Sequence, residues 1–427
     1  MAHSFGRRQF LKTAAGASAA IATTRTLSAA SYARVKGAND RISIGIIGCG
    51  GRGSGAHMPG IHKHQEAMNF EITALSDPYR PAREKANGLV KEWHGRDARL
   101  FTSHRDVIAL KDLDAVMIAS PDHLHARQLE AAARAGKHIY VEKPIARNME
   151  ELVRSVDAVK EANVIVQVGT QLRSEASYTG CRKLYGTGIL GTVGRVEQCR
   201  NGAEPFWVKR LADVKKEDLD WAEFTGGVTD KPFNAMLFSA WYGYREFCDG
   251  LVPQWGSHFI DTVHYITGAT FPTSCVCHGG TFTYLEEAKF TVDDHVQCLW
   301  IYPPAPGRGG NGFMVSYSTN FGNSSGNSWK IYGDKGLLDM TLGNSPVLSA
   351  DGGAKRDGSI RGKNPVEPIE RPDHFLDWLQ CLREGRTPHA PIDAGYQHAV
   401  ACIMAVQSRD TGRRMTYDHA KRQIAPG

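Results

Sequence analysis

Short apolar runs and helical patterns alternate through the first part of the chain. Ile42 to Ile47 reads as a strand, and Phe70 to Leu75, Ala115 to Ala119, His138 to Val141 and Val164 to Val168 repeat the theme. Between them lie helical stretches, among them an alanine-rich one through Ala135 and another from Met149 to Ala162. Strands alternating with helices predict βαβ units and a parallel sheet. Beyond about residue 190 the period changes to two. Gly194 to Arg200, Cys275 to Thr283, His295 to Tyr302, Phe313 to Phe321 and Trp329 to Tyr332 read as strands by alternation and by β-branched or aromatic content. Glycine-rich stretches at 307–312 and 351–363 read as surface loops. Two helices, Asp373 to Glu384 and Ala394 to Arg409, close the chain, the first with an apolar face of Phe375, Leu376, Trp378, Leu379 and Leu382.

The first strand feeds directly into Gly48-x-Gly50-x-x-Gly53. The first glycine permits a tight turn, the second lets backbone approach a pyrophosphate, and the third allows close helix packing. The phosphates would lie on free N–H groups at the helix N-terminus. The second strand ends in Ser76-Asp77, where a carboxylate binds adenosine ribose hydroxyls. Asp77 points to NAD more than NADP because a carboxylate repels a 2′-phosphate, although Arg80 leaves NADP possible. A proline disfavours helical geometry in the residue before it. Lys143, in Glu142-Lys143-Pro144, is therefore placed at the end of its strand. In open parallel sheets ligands bind beyond the carboxyl ends of the strands.

Together these segments resemble the Gfo/Idh/MocA oxidoreductases, the family of glucose–fructose oxidoreductase and inositol dehydrogenase. The resemblance runs over residues 40–420. It is carried by Gly48 to Gly53, Ala119-Ser-Pro-Asp-His-Leu-His-Ala126, Ala135 to Ala146, Val168-Gly-Thr-Gln-Leu-Arg173 and Trp255-Gly-Ser-His-Phe-Ile-Asp261. It implies an α/β fold: an N-terminal Rossmann dinucleotide-binding domain (40–165), then a C-terminal α+β domain (166–420) with a large, mostly antiparallel sheet. It implies NAD as cofactor and hydride exchange with a sugar, polyol or related carbohydrate. Cofactor contacts are expected from Gly48, Gly50, Gly51, Arg52 and Gly53, then from Asp77, Ser120, His123, His125, Glu142 and Lys143. Lys143 and His258 are the expected catalytic pair, the lysine polarising the reacting oxygen and the histidine acting as acid/base. Many family dehydrogenases carry an aspartate four residues before that histidine; this chain has Gln254, which cannot ionise. Asp261, one helical turn after His258, is a candidate replacement or a helix cap. A homo-oligomer is also expected from the resemblance.

A chain of 427 residues accommodates two domains, and its 22% charged content is ordinary for a globular protein. The net charge of +6 is concentrated at one end. Arg7, Arg8, Lys12 and Arg25 lie in the first 33 residues with no acid among them, leaving 47 basic groups against 45 acidic ones. That balance gives no electrostatic case for nucleic acid. Gly6-Arg-Arg-Gln-Phe-Leu-Lys12, the alanine-rich run to Thr24 and the small residues at Ser28-Ala-Ala30 and Ser31-Tyr-Ala33 read as a twin-arginine signal peptide over residues 1–33. The run is too short for a membrane span. The expected destination is periplasmic or exported through the twin-arginine machinery, with no membrane anchor after cleavage. No free nicotinamide pool exists there, so the cofactor should be held tightly and recycled.

Gln171 and Arg173 are candidate substrate contacts. Trp241, Tyr244 and Arg245 join them from an aromatic stretch before His258, together with Gln254 and Asp261, since sugar rings offer apolar faces to aromatics and hydroxyls to polar groups. No metal is expected. Cys275 and Cys277 share one face of a strand while His278 takes the other, and His258, Asp261 and His264 do not converge on a helix. The nine cysteines leave at least one unpaired, and burial as small apolar side chains is expected. Two alternatives to a dehydrogenase stay open. One is a nicotinamide-dependent glycosidase or lyase acting by transient sugar oxidation and elimination; the other is a non-enzymatic carbohydrate-binding protein.

Overall fold

The computed structural model describes residues 40–284, 289–304, 311–355 and 358–427. The export signal expected over residues 1–33 lies outside the described residues, as does part of each glycine-rich loop.

Six strands form the first sheet: β1 (Ile42–Ile47), β2 (Phe70–Ser76), β3 (Arg99–Phe101), β4 (Ala115–Ile118), β5 (His138–Val141) and β6 (Val166–Val168). Their order is β3-β2-β1-β4-β5-β6 and every pairing is parallel. A parallel sheet is covered on both faces, so its strands are near-continuous apolar runs rather than alternating ones; β4 and β5 are buried at every position. Chain order reverses between β1 and β4, which opens a crevice at their carboxyl ends. The domain boundary expected between residues 165 and 166 is corrected here, because Val166–Val168 is the sixth strand of this sheet.

One face of the sheet carries α2 (Asp122–Arg134) and α3 (Met149–Ala162), while α1 (Arg80–His94) follows β2. Asn148 starts α3 by accepting from the Glu151 N–H at 2.9 Å, the N-cap role for which Asn is preferred. The other face is covered by Met58, Ile61 and the α1 residues Ala86 and Val90, and is completed from far along the chain. Helix α5 (His374–Glu384) places Trp378, Leu379 and Leu382 among Ile44, Ile46, Ile61 and Phe70. Burying each such side chain contributes about 1.5–3 kcal/mol. The amphipathic pattern predicted this helix, yet its partner is the first sheet and not the second.

The second sheet has ten strands. The five foreseen are β7 (Val193–Cys199), β8 (Ser274–Gly280), β9 (His295–Tyr302), β10 (Phe313–Asn320) and β11 (Ser328–Gly333). To these the structure adds β12 (Leu337–Asp339), β13 (Val347–Ser349), β14 (Lys363–Pro365), β15 (Met415–Asp418) and β16 (Gln423–Pro426). The order is β14-β13-β12-β11-β7-β10-β9-β8-β15-β16, antiparallel except where β10 runs parallel to β7. One face packs on α4 (Ser257–Thr267) and α6 (Ile392–Thr411), with the Trp300 indole donating to the Ala401 carbonyl at 3.0 Å. The other face leaves Val276, Leu299, Ile301 and Met314 partly exposed. All nine cysteines are free and eight are buried; Cys275, Cys277 and Cys298 face the helices, whereas His278 faces the open side. No helix among the described residues is long and apolar enough to cross a membrane.

Candidate active site

The glycine loop lies at the crevice and its geometry explains each glycine. Gly48 has φ +91°, and a Cβ there would stand 2.6 Å from main-chain atoms of Ala119 and Ser120. At Gly53 a Cβ would meet the Gly48 carbonyl oxygen at 1.9 Å. Gly50, by contrast, faces open space, and a Cβ at Gly51 would meet only the tip of Arg210 at 3.9 Å. Bare backbone thus borders a cleft of about 480 Å³ that runs from Asp77 and Tyr79 past the loop to Ser120 and Trp241. This open glycine backbone, with a helical turn behind it and a carboxylate at the end of β2, fits a dinucleotide. Gly53→Ala should weaken dinucleotide binding by about tenfold or more, roughly 1.4 kcal/mol, because neither clashing backbone atom can rotate away; calorimetric titration with NAD checks this.

Asp77 Oδ2 accepts from the Cys49 N–H at 2.7 Å and Oδ1 from the Tyr79 N–H at 2.8 Å. Burial pushes its carboxyl up to about 6, against those two donors and the Arg83 charge. The carboxylate still lines the cleft and has further lone pairs for ribose hydroxyls. Arg80, the cation that a 2′-phosphate would need, is committed to Glu84 at 3.2 Å and to Asp218.

Glu142 and Lys143 follow β5, and the Lys143–Pro144 peptide is cis. Both side chains are buried. Glu142 Oε1 pairs with His57 Nε2 at 2.8 Å and accepts from Gln171 Nε2 at 3.2 Å, with Arg52 Nε 3.6 Å away. Burial pushes the Glu142 carboxyl up, but His57, Arg52 and Lys143 outweigh it and hold it well below the usual range. Glu142, expected at the cofactor, therefore ties the helix of the glycine loop to the end of β5. Gln171 also reaches the Tyr140 hydroxyl at 3.1 Å. The Lys143 ammonium donates to the main-chain oxygen of Gln254. Burial pushes its pKa down, while Glu142 and Asp122 oppose the fall.

His258 is the second residue of α4, behind a π turn over Val252–Gly256 that carries Gln254 and Trp255. Burial first, and then the Lys143 charge, push its imidazole well below the ordinary histidine value. The ring is thus neutral near pH 7, and its Nδ1 has no protein partner among the described residues.

The expected substrate contacts divide. Trp241 lines the cleft, joined by Tyr242 stacked on it at 3.6 Å. Tyr244 and Arg245 are corrected: Tyr244 is packed with Phe224 and Phe247, and Arg245 pairs with Asp410 at 2.6 Å. Arg173 and Asp261 bind each other, Nε lying 2.9 and 2.8 Å from the two carboxylate oxygens, so Asp261 neither caps the helix nor hydrogen-bonds His258. The Gln254 amide donates to Asp122 Oδ2 and not into the cleft. His123 and His125 are likewise corrected as direct cofactor contacts. His123 donates to the Phe224 carbonyl at 2.8 Å, and His125 lies between the Pro144 and Ser120 carbonyls at 2.8 and 2.7 Å, fastening the Lys143 loop to the end of β4.

Sequence reasoning missed a strap over the cleft. Leu219 bridges Tyr79, and the Asp220 N–H donates to the Pro78 carbonyl at 3.0 Å. Glu223 binds Ser103, His104 and Arg105 at 2.9, 2.8 and 3.0 Å. His104 is the main cause that draws the Glu223 carboxyl down to about 2. Nothing local in the sequence around Glu223 marks it, since each of these partners lies more than a hundred residues away. Arg210 adds a further cation at the cleft, over the Tyr242 ring at 5.0 Å.

A profile of the GFO/IDH/MocA oxidoreductase family, NAD-binding Rossmann fold, matches residues 42–170, and one of the GFO/IDH/MocA C-terminal domain matches residues 220–339. Together they span more than half of the chain. It is 30% identical over 196 residues to the uncharacterized oxidoreductase YrbE of Bacillus subtilis, covering 44% of this chain and 54% of that protein. Against levoglucosan dehydrogenase of Pseudarthrobacter phenanthrenivorans it is 40% identical over 158 residues, 36% of this chain and 39% of the relative. The chain thus spans about half the length, or less, of such curated relatives. Among solved structures, the WlbA dehydrogenase of Bordetella pertussis with NADH and UDP-GlcNAcA superposes with TM-score 0.63 at 22% identity, over 88% of this chain and 99% of that one. Aldose-aldose oxidoreductase of Caulobacter crescentus, complexed with glycerol, gives 0.65 at 20% identity, over 88% and 99%. At these identities the structural likeness shows the fold.

Proposed function

Because this chain belongs to the Gfo/Idh/MocA oxidoreductase family, we propose that it is an exported NAD-dependent oxidoreductase acting on a CH–OH group of a sugar, polyol or related carbohydrate. The observation that carries this reading is a buried lysine at the carboxyl edge of the parallel sheet, beside a histidine kept neutral by its surroundings. A dinucleotide held at the glycine loop and Asp77 would supply the nicotinamide as hydride acceptor. His258, neutral over the physiological range, takes the proton of the substrate hydroxyl. Lys143 polarises the same oxygen and stabilises alkoxide character as it develops, in a site where low dielectric strengthens the effect. Glu142 keeps Lys143 in register with the glycine loop, and Trp241 with Tyr242 offers an aromatic surface beside the cleft.

The strap supports a second reading. Glu223 and His104 border the cleft and bind each other, which would slow release of a dinucleotide and suits a nicotinamide recycled within one turnover. A redox-neutral glycosidase or lyase, acting by transient sugar oxidation and elimination, would use the same Lys143 and His258.

Purified full-length protein, followed in the reduced-nicotinamide absorbance band and challenged with sugars, polyols and glycosides, separates the two. Persistent reduction supports the oxidoreductase; free sugar released without net reduction supports the glycosidase. Absence of both bound dinucleotide and any spectral response overturns both. His258→Asn should lower whichever activity is found by about 10²–10⁴-fold, the usual contribution of a positioned base.

A further inference from the structure

The ammonium of Lys143 is buried, and a buried charge is tolerated only when paired and hydrogen-bonded. Its hydrogen-bond acceptor is a neutral carbonyl, that of Gln254. The adjacent carboxylate, Glu142, is already shared among His57, Arg52 and Gln171. Asp249 is held by Arg147 through contacts of 2.9 and 2.7 Å. One further carboxylate lies in electrostatic reach, that of Asp122. It is the first residue of α2, where the helix dipole favours an anion, and it is 3% exposed. It accepts from the side-chain amide of Gln254, the residue whose carbonyl receives the lysine.

We propose that Asp122 is a positioning residue that shares with Glu142 the counter-charge of Lys143 and, through Gln254, fixes where the ammonium stands. Gln254 works as a bridge: its amide reaches the carboxylate and its carbonyl the ammonium. This explains how a neutral residue at position 254 is compatible with a charged lysine, and it rests on the proposed role of Lys143 in the reaction.

Several charged or titratable groups face Asp122. His125 lies on its own helix, Lys143 and Arg147 come from the segment after β5, and Tyr242, Cys248 and Asp249 come from the stretch before the π turn. Burial pushes the Asp122 carboxyl up to about 6, against His125, Lys143 and Arg147, while Asp249 adds to the rise. Protonating Asp122 near pH 6 therefore removes its share of the counter-charge, whereas burial and the Lys143 charge push His258 well below the ordinary histidine value. An acid limb near pH 6 would report Asp122, and the basic limb Lys143.

The test has a readout that needs no substrate. In holoenzyme labelled with carbon-13 at lysine Cε, with the Lys143 signal assigned through Lys143→Met, titration gives the lysine pKa directly. Asp122→Asn should weaken proton affinity at Lys143 by about tenfold, and Asp122→Asn combined with Gln254→Glu should restore it by returning a carboxylate to the same hydrogen bond. An unchanged Lys143 titration in Asp122→Asn, with dinucleotide still bound, overturns the inference even if hydride transfer is observed. So does a double variant that titrates like the single one. With an active substrate, the pH profile of kcat should lose its acid limb near pH 6 and its basic limb should move to lower pH; a profile lowered in parallel means a merely structural aspartate and overturns the inference. Failure of every substrate alongside a shifted Lys143 titration overturns the functional reading alone.

Discussion

Lys143→Met should lower turnover by about 10²–10³-fold, the usual cost of removing one preorganised donor from a developing oxyanion, while the protein stays folded and keeps its dinucleotide. Methionine nearly matches lysine in length and is at home in a buried site. Burial already holds the Asp122 carboxyl up at about 6, so without the ammonium it can take up a proton instead of staying an unpaired charge. The dinucleotide should remain because the glycine loop, Asp77 and the strap hold it without Lys143. Single-turnover kinetics separates the outcomes: slow chemistry with dinucleotide still bound confirms the assignment, and turnover near wild type refutes it.

Asp261→Ala should cost about 3–5 kcal/mol of stability, the range for breaking one side of a buried pair. The side chains of Arg173 and Asp261 are 12% and 1% exposed, and His398 Nδ1 stands 3.5 Å from the same carboxylate. Losing the aspartate leaves a guanidinium shut away without its anion. Denaturant unfolding measures the loss, and its pH dependence follows from the sign of the shift. Burial pushes the Asp261 carboxyl up, but Arg173 and His398 more than reverse this and hold it far below its usual value. A group depressed in the folded state contributes stability above its unfolded pKa of about 3.9 and loses it as pH falls toward the folded value. The gap between wild type and Asp261→Ala should therefore narrow below about pH 4, and a gap that stays constant to pH 3 would falsify the pair as its source.

What was legible in the sequence is what local chemistry determines. His295–Tyr302 emerged with its expected bounds because alternation over eight residues is a strong signal. Strands β12, β13 and β14, three residues each, gave no period to read. Lys143 and the glycine loop stood out because each sits in a motif whose geometry is set by neighbours in the chain, whereas His258 came from the family resemblance. Pairings across the fold were invisible. Arg173 and Asp261 each looked like a sugar contact, and only folding brings them together over 88 positions. Asp122 lay inside a quoted motif, but its bond to Gln254 spans 132 residues. The aromatic stretch before His258 divided for the same reason. Local spacing does not say which of Trp241 and Tyr244 faces the cleft.

The placement of α5 also determines when, during synthesis, the nucleotide-binding half is finished. A ribosome releases β1 to β6 by residue 168, yet the side chains that cover one face of that sheet, Trp378, Leu379 and Leu382, follow some two hundred residues later. Until then Ile44, Ile46 and Phe70 are covered only in part, by Met58, Ile61, Ala86 and Val90. A fragment ending after the sixth strand would expose part of this apolar face and tend to aggregate, although its own strands and glycine loop are complete. The nucleotide-binding half is thus finished only when nearly the whole chain has been made.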